Sequence, residues 1–173
     1  MKDNRKRIRQ ITVVALCTSL ALLLSYVEML IPVLIQGVPG IKMGLPNIAI
    51  IFALYCLGAK KAVLISLIRV AIMSMLFGNI TYFLYSIAGA VLSLGTMIIL
   101  EKLDFMSSVG VSVAGALAHN VGQILVAMVL MQTSQIMWYL IVLSITGVVS
   151  GIFVGLCGAL VVKRLYKIKI FKI

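Results

Sequence analysis

Apolar stretches recur along this chain at close to the length a helix needs to cross a lipid bilayer, and short polar breaks separate them. A spanning helix takes roughly 20 apolar residues, or about 17 to 25. Within hydrocarbon its backbone N–H and C=O groups must be satisfied inside the segment itself. Reading from break to break gives six candidate helices: 11–35 with Pro32 near its end, a short one at 45–57, then 62–77, 82–100, 107–131 and 136–162. The breaks carry turn chemistry. Gly37, Pro39 and Gly40 lie in the first, Gly58-Ala59-Lys60-Lys61 forms a basic turn, and Gly78-Asn79 a polar one. Glu101-Lys102-Leu103-Asp104 is the one acidic link, and 132–135 is polar and uncharged.

Composition excludes the soluble alternative. Of 173 residues, 63% are hydrophobic and 11% charged, against about half and a quarter in soluble domains. No soluble fold of this size hides so much apolar surface. The expected fold class is therefore an all-α integral membrane protein, a single six-helix domain over 1–173 with basic ends at 1–10 and 163–173.

The net charge of +11 raises the question of nucleic acid, but its distribution answers it. Lys2, Arg5, Lys6, Arg7 and Arg9 crowd one end; Lys163, Arg164, Lys167, Lys169 and Lys172 crowd the other. Terminal basic clusters beside apolar spans fit anionic membrane lipid as the partner. With both termini inside, the inner segments hold five, two, one and five basic residues, 13 of the 15 Lys and Arg. The expectation is N-in/C-in in the cell membrane. The first apolar run is too long for a signal-peptide core and lacks a clear small-x-small cleavage site, so it reads as the first membrane helix.

Ionisable groups inside a span cost a few kcal/mol at least and each asks for a reason. Glu28, Arg69 and His119 are three such groups. At a rise of about 1.5 Å per residue, Glu28 lies about 25 Å, His119 about 18 Å and Arg69 about 10 Å from the inner face. Lys42 and Asn47 stand at the outer end of the second helix. A substrate pocket open to the outside accounts for the set. His119 and Gln123 share a face at i, i+4, with Asn120 adjacent; the three read either as a hydrogen-bonding wall for a ligand or as interhelical contacts. Arg69 either holds an anionic ligand or pairs with Glu28, since a lone buried charge needs a partner. Glu28 could otherwise bind a cation or relay a proton. The loop from Gly37 to Asn47 reads as a ligand lid or a plain turn. Lys42, Arg69 and His119 together lean toward an anionic ligand.

Ala15 and Ser19, four apart, form a small-residue face on the first helix that could meet a partner protein. Gly147, Gly151 and Gly155 form a longer series expected to pack internally. Cys17, Cys56 and Cys157 are scattered through apolar sequence and read as small hydrophobes. No cofactor is implied. With one His and no nearby Cys or carboxylate, no metal site is expected. No catalytic constellation, Walker A loop or Asp-rich diphosphate motif occurs, so the chain is not expected to be an enzyme.

The segments Gly40-Ile-Lys-Met-Gly-Leu-Pro-Asn-Ile48, Leu67-Ile-Arg-Val70, Ser86-Ile-Ala-Gly-Ala90 and His119-Asn-Val-Gly-Gln123 resemble the Gx transporter family, also labelled heptaprenyl diphosphate synthase component I. The resemblance covers about 11–162. Met43 and Pro46 depart from the Leu and Ala usual there. That family is similar to the S components of energy-coupling factor (ECF) transporters. The resemblance implies an S-component-like bundle that binds a nutrient from outside and docks on a T subunit with two ATPases. It also implies docking through an Ala-x-x-x-Ala face on the first helix, for which Ala15-x-x-x-Ser19 is the nearest match. The implied cargo is a small anionic nutrient or an isoprenoid or quinone-related precursor. The synthase label implies instead a non-catalytic membrane subunit of heptaprenyl diphosphate synthesis in the menaquinone pathway. A channel, carrier or structural membrane protein working alone is the third class.

Overall fold

The computed structural model describes residues 2–30, 44–78, 80–104 and 106–167. Among them the chain is helical throughout: α1 (Lys2–Leu30), α2 (Asn47–Leu57), α3 (Ala59–Phe77), α4 (Ile80–Leu103), α5 (Ser108–Met131), a single 3-10 turn (Gln135–Trp138) and α6 (Tyr139–Lys167). No strand occurs among the described residues. Four segments are long and apolar enough to cross a membrane: Arg7–Leu30, Ile80–Leu103, Ser108–Met131 and Gln135–Arg164. The 11 residues of α2 rise only about 17 Å, against a hydrocarbon thickness of about 30 Å.

Several helix boundaries differ from the sequence reading, most of all at the start of α1, at the start of α3 and at the end of α6, which runs on to Lys167. The helix of α1 continues back through the basic segment to Lys2. Lys60 and Lys61 lie in the first turn of α3, because Gly58 alone makes the connection from α2. Its φ of +88° is open to glycine and strained for side-chain-bearing residues. The end assigned to the first helix at 31–35 falls outside the described residues. The ends of α5 follow capping chemistry. Ser107 caps α5, its hydroxyl accepting from the Gly110 N–H at 3.3 Å, and Gln132 closes the same helix in the left-handed region.

Short connections make sequence neighbours among α2 to α6 run in opposite directions. That brings Lys60, Lys61, Lys102, Lys163 and Arg164 to the same end of the bundle as the basic start of α1. α5 packs closely between α4 and α6, while α2 touches α1, α3 and α6. Six consecutive residues of α2, from Ala49 to Leu54, are buried, as expected of a helix apolar all round and enclosed by others. On α1 the stripe Val13, Cys17, Ala21 and Ser25 is buried, whereas Leu16, Leu20 and Leu23 are exposed. Exposed Ile99, Val129, Ile145 and Val149 continue this apolar exterior around α4 to α6. Such a surface belongs in lipid.

Backbones approach closely where glycines stand. A Cβ on Gly122 of α5 would come within 2.7 Å of the Ala88 carbonyl of α4. On α6, a Cβ on Gly151 would meet Val113 Cα at 2.7 Å, and one on Gly155 would meet Val109 Cα at 2.8 Å. The glycine series of α6 is thus used for internal packing, as its spacing anticipates. The three cysteines are free thiols.

Candidate functional site

The site forms where the ends of α1, α3 and α5 away from the basic residues meet the starts of α2, α4 and α6. Glu28, on the last turn of α1, accepts a hydrogen bond from the Gly44 N–H. Gly44 has φ +69°, and its carbonyl receives the Asn47 N–H at 2.9 Å, opening α2. One carboxylate therefore ties α1 to the turn that presents Asn47. Arg69, a little past the middle of α3, lies within electrostatic reach of Tyr82 and Glu28. Its Nε is shut off from solvent and has no hydrogen-bond partner.

The α5 residues divide in role. Asn120 Nδ2 donates to the Leu143 carbonyl of α6 at 2.6 Å and fits against Gly147, where a Cβ would come within 2.6 Å of it. Asn120 thus makes an interhelical contact to α6. The His119 ring lies over Gly89 of α4, where a Cβ would meet Cε1 at 2.6 Å. Gly89 thus clears the space that holds the imidazole. Gln123, one turn on, has a buried Oε1 without a partner.

These residues enclose a cavity of about 70 Å³ that all six helices help to line. Glu28, Asn47, Arg69, His119, Asn120 and Gln123, all anticipated from the sequence, are on its wall. Lys42 lies outside the described residues, as does most of the loop read as a lid; of the loop's described residues, Gly44, Pro46 and Asn47 reach the cavity. A space of this size takes a few waters or a small polar group. The unpartnered Arg69 Nε is an unmet donor, and the Arg guanidinium is the side chain best shaped to grip an oxyanion.

Sequence reading missed Tyr82 and Ser86 of α4, and Ser25, Thr146 and Ser150, all of which line the cavity. Tyr82 and Ser86 stand four apart near the start of their helix, a spacing that could have marked a polar face. The other three left no signal. Ser25 bonds back to the Ala21 carbonyl at 2.8 Å, Thr146 to Leu143 at 3.1 Å and Ser150 to Gly147 at 3.2 Å. Hydroxyls satisfied on their own helix are ordinary in membrane spans. Ala15 and Ser19, the anticipated docking face, are exposed on the side of α1 away from its buried stripe. No group of His, Cys, Asp and Glu suited to a metal ion occurs among the described residues.

An apolar, exposed helical exterior around a polar cavity is the pattern of a multi-pass membrane protein. The chain belongs to the family described as heptaprenyl diphosphate synthase component I, whose model matches residues 17–161. Neither a curated protein nor a solved structure gave a match.

Proposed function

We propose that this chain is a non-catalytic substrate-binding subunit, the S component of an ECF-type transporter, taking up a small anionic or isoprenoid-related compound. The observation that carries this reading is the polar cavity itself. It gathers Glu28, Asn47, Arg69, His119 and Gln123 inside an apolar bundle, although such groups are costly in a membrane unless they serve a ligand or one another. In this reading the single domain crosses the cell membrane six times with both termini in the cytoplasm, α2 and α3 forming a tightly joined pair. The cavity faces outward, and Arg69, His119 and Gln123 hold the ligand while Asn47 and Lys42 guard its mouth. Ala15 and Ser19 offer a small-residue face to a T subunit, which two ATPases drive. The chain has no Walker A loop of its own, so energy comes from those partners.

The family description favours a second reading, in which the chain is the membrane partner of a separate prenyl diphosphate synthase subunit. Purifying the full chain from native membranes and identifying what accompanies it separates the two. The transporter reading expects ATPases and a T subunit, lost on Ala15→Leu/Ser19→Leu, and ATP-dependent uptake of the bound compound. Retrieval of a prenyltransferase whose activity depends on this chain, with no ATPase, would replace it with the second reading.

A further inference from the structure

The polar cavity does not end at its polar wall. Tyr82, Ser86, Gln123 and Leu143 line it and also line a second chamber, of about 630 Å³, between α4, α5 and the start of α6. The rest of that chamber is mostly hydrocarbon and aromatic: Tyr85, Ile124, Ala127, Met131, Ile136 and Tyr139. The two spaces differ in kind. The smaller holds the Arg69 guanidinium with its buried, unmet Nε donor. The larger has the size of an ordinary ligand pocket and offers only a few polar atoms, Gln123 Oε1 standing where the two meet.

A small free oxyanion would use the first chamber and leave the second idle. An uncharged hydrocarbon would use the second and leave the Arg69 Nε without an acceptor. A molecule with a charged head and one apolar tail uses both, and burial of the tail offsets the cost of stripping water from the head. Resting on the reading of the polar cavity as the ligand site, we infer that the ligand is a single-chain amphiphile. Its oxyanion head, phosphate or carboxylate, meets Arg69 beside His119, and its hydrocarbon tail lies along α5 between α4 and α6. Gln123 sits at the junction and marks the depth at which head gives way to tail.

The test is binding of a series of probes to the full chain in lipid nanodiscs, with empty nanodiscs subtracted and affinities referred to free aqueous concentration. The probes are inorganic phosphate, butyl, octyl and dodecyl phosphate, dodecanol and a two-chain phosphatidic acid. Affinity is expected to climb with tail length by up to about fourfold per methylene and then level off as the chamber fills. Dodecanol should bind at least about tenfold more weakly than dodecyl phosphate, since it lacks a charge-assisted contact that contributes about 1.5 to 3 kcal/mol; phosphatidic acid should also bind more weakly, because the chamber has room for one tail and not for a second. Arg69→Gln should weaken every phosphate probe alike, and Ala127→Phe only the long ones. Inorganic phosphate binding as tightly as octyl phosphate would overturn the amphiphile while leaving the polar site standing. Dodecanol or phosphatidic acid matching dodecyl phosphate would overturn it in favour of bulk membrane lipid. No binding by any probe, together with no molecule co-purifying with the wild-type chain, would remove the underlying reading of the cavity.

Discussion

The two halves of this bundle are packed by different means. In α4, α5 and α6, glycines let one backbone lie against the next, with Gly122 on Ala88, Gly151 on Val113 and Gly155 on Val109. In α1, α2 and α3, helices meet through full side chains, and Ile50, Ile51, Leu54 and Ile65 are among the largest wholly buried residues. Polar atoms follow the same division. Asn120 in the first half is satisfied by a direct bond to Leu143. Among the described residues, three of the four buried side-chain polar atoms without a partner, Ser66 Oγ, Arg69 Nε and Ser74 Oγ, are on α3. The lesson is a division of labour. Lipid gives no hydrophobic drive between helices, so close van der Waals fit must hold one half together. The facing half can then carry the unmet polarity that a ligand would answer.

The largest expected effect is at the tightest contact. Gly122→Leu must displace the α4 backbone and should destabilise the protein by about 3 kcal/mol, read as the unfolding midpoint in mild detergent. Survival of the wild-type midpoint would mean that α4 and α5 are not locked as described. Next comes Arg69→Gln, which should cost about 2 kcal/mol in binding of an anionic ligand, roughly a thirtyfold loss, while leaving the unfolding midpoint unchanged or raised. A large loss of stability would instead show that Arg69 serves mainly to hold α3 in place. Asn120→Ala should cost about 1 kcal/mol of stability with little change in ligand selectivity, because its donor already has a partner. Ile51→Val, in the side-chain-packed half, belongs in the same range of about 0.5 to 1.5 kcal/mol. The smallest effect, and of opposite sign, is at Gly95 of α4, where an added Cβ meets nothing within 4 Å. Gly95→Ala should stabilise by up to about 1 kcal/mol through helix propensity, the reverse of what the same change does at Gly122.

Much of this site could be read from the sequence because charge and amide groups are conspicuous in apolar helices. Glu28, Arg69, His119 and Gln123 stood out on cost alone, and the structure brings them to one cavity. The helices were legible for the same reason, with Gly58 and Ser107 marking their limits. The apolar chamber was not legible. Ile124, Ala127 and Met131 look in sequence like lipid-facing residues, and only the spacing between α4 and α6 shows that they enclose a space. The start of α1 was hidden too, because basic residues flanking a span say where the interface lies, and the helix runs on through it to Lys2. Tyr82 escaped notice as an interfacial aromatic of an ordinary kind.

The central claim is that the cavity between the two halves is built for a ligand, and the most direct test is to ask what is in it. Wild-type protein and the Arg69→Gln and His119→Ala variants would be purified in mild detergent and their bound small molecules identified by native mass spectrometry. The account predicts a stoichiometric anionic compound on the wild type that is lost or strongly depleted from both variants while their unfolding midpoints hold. An empty wild type, or a compound retained equally by all three, would contradict it and leave the polar residues as interhelical ties alone.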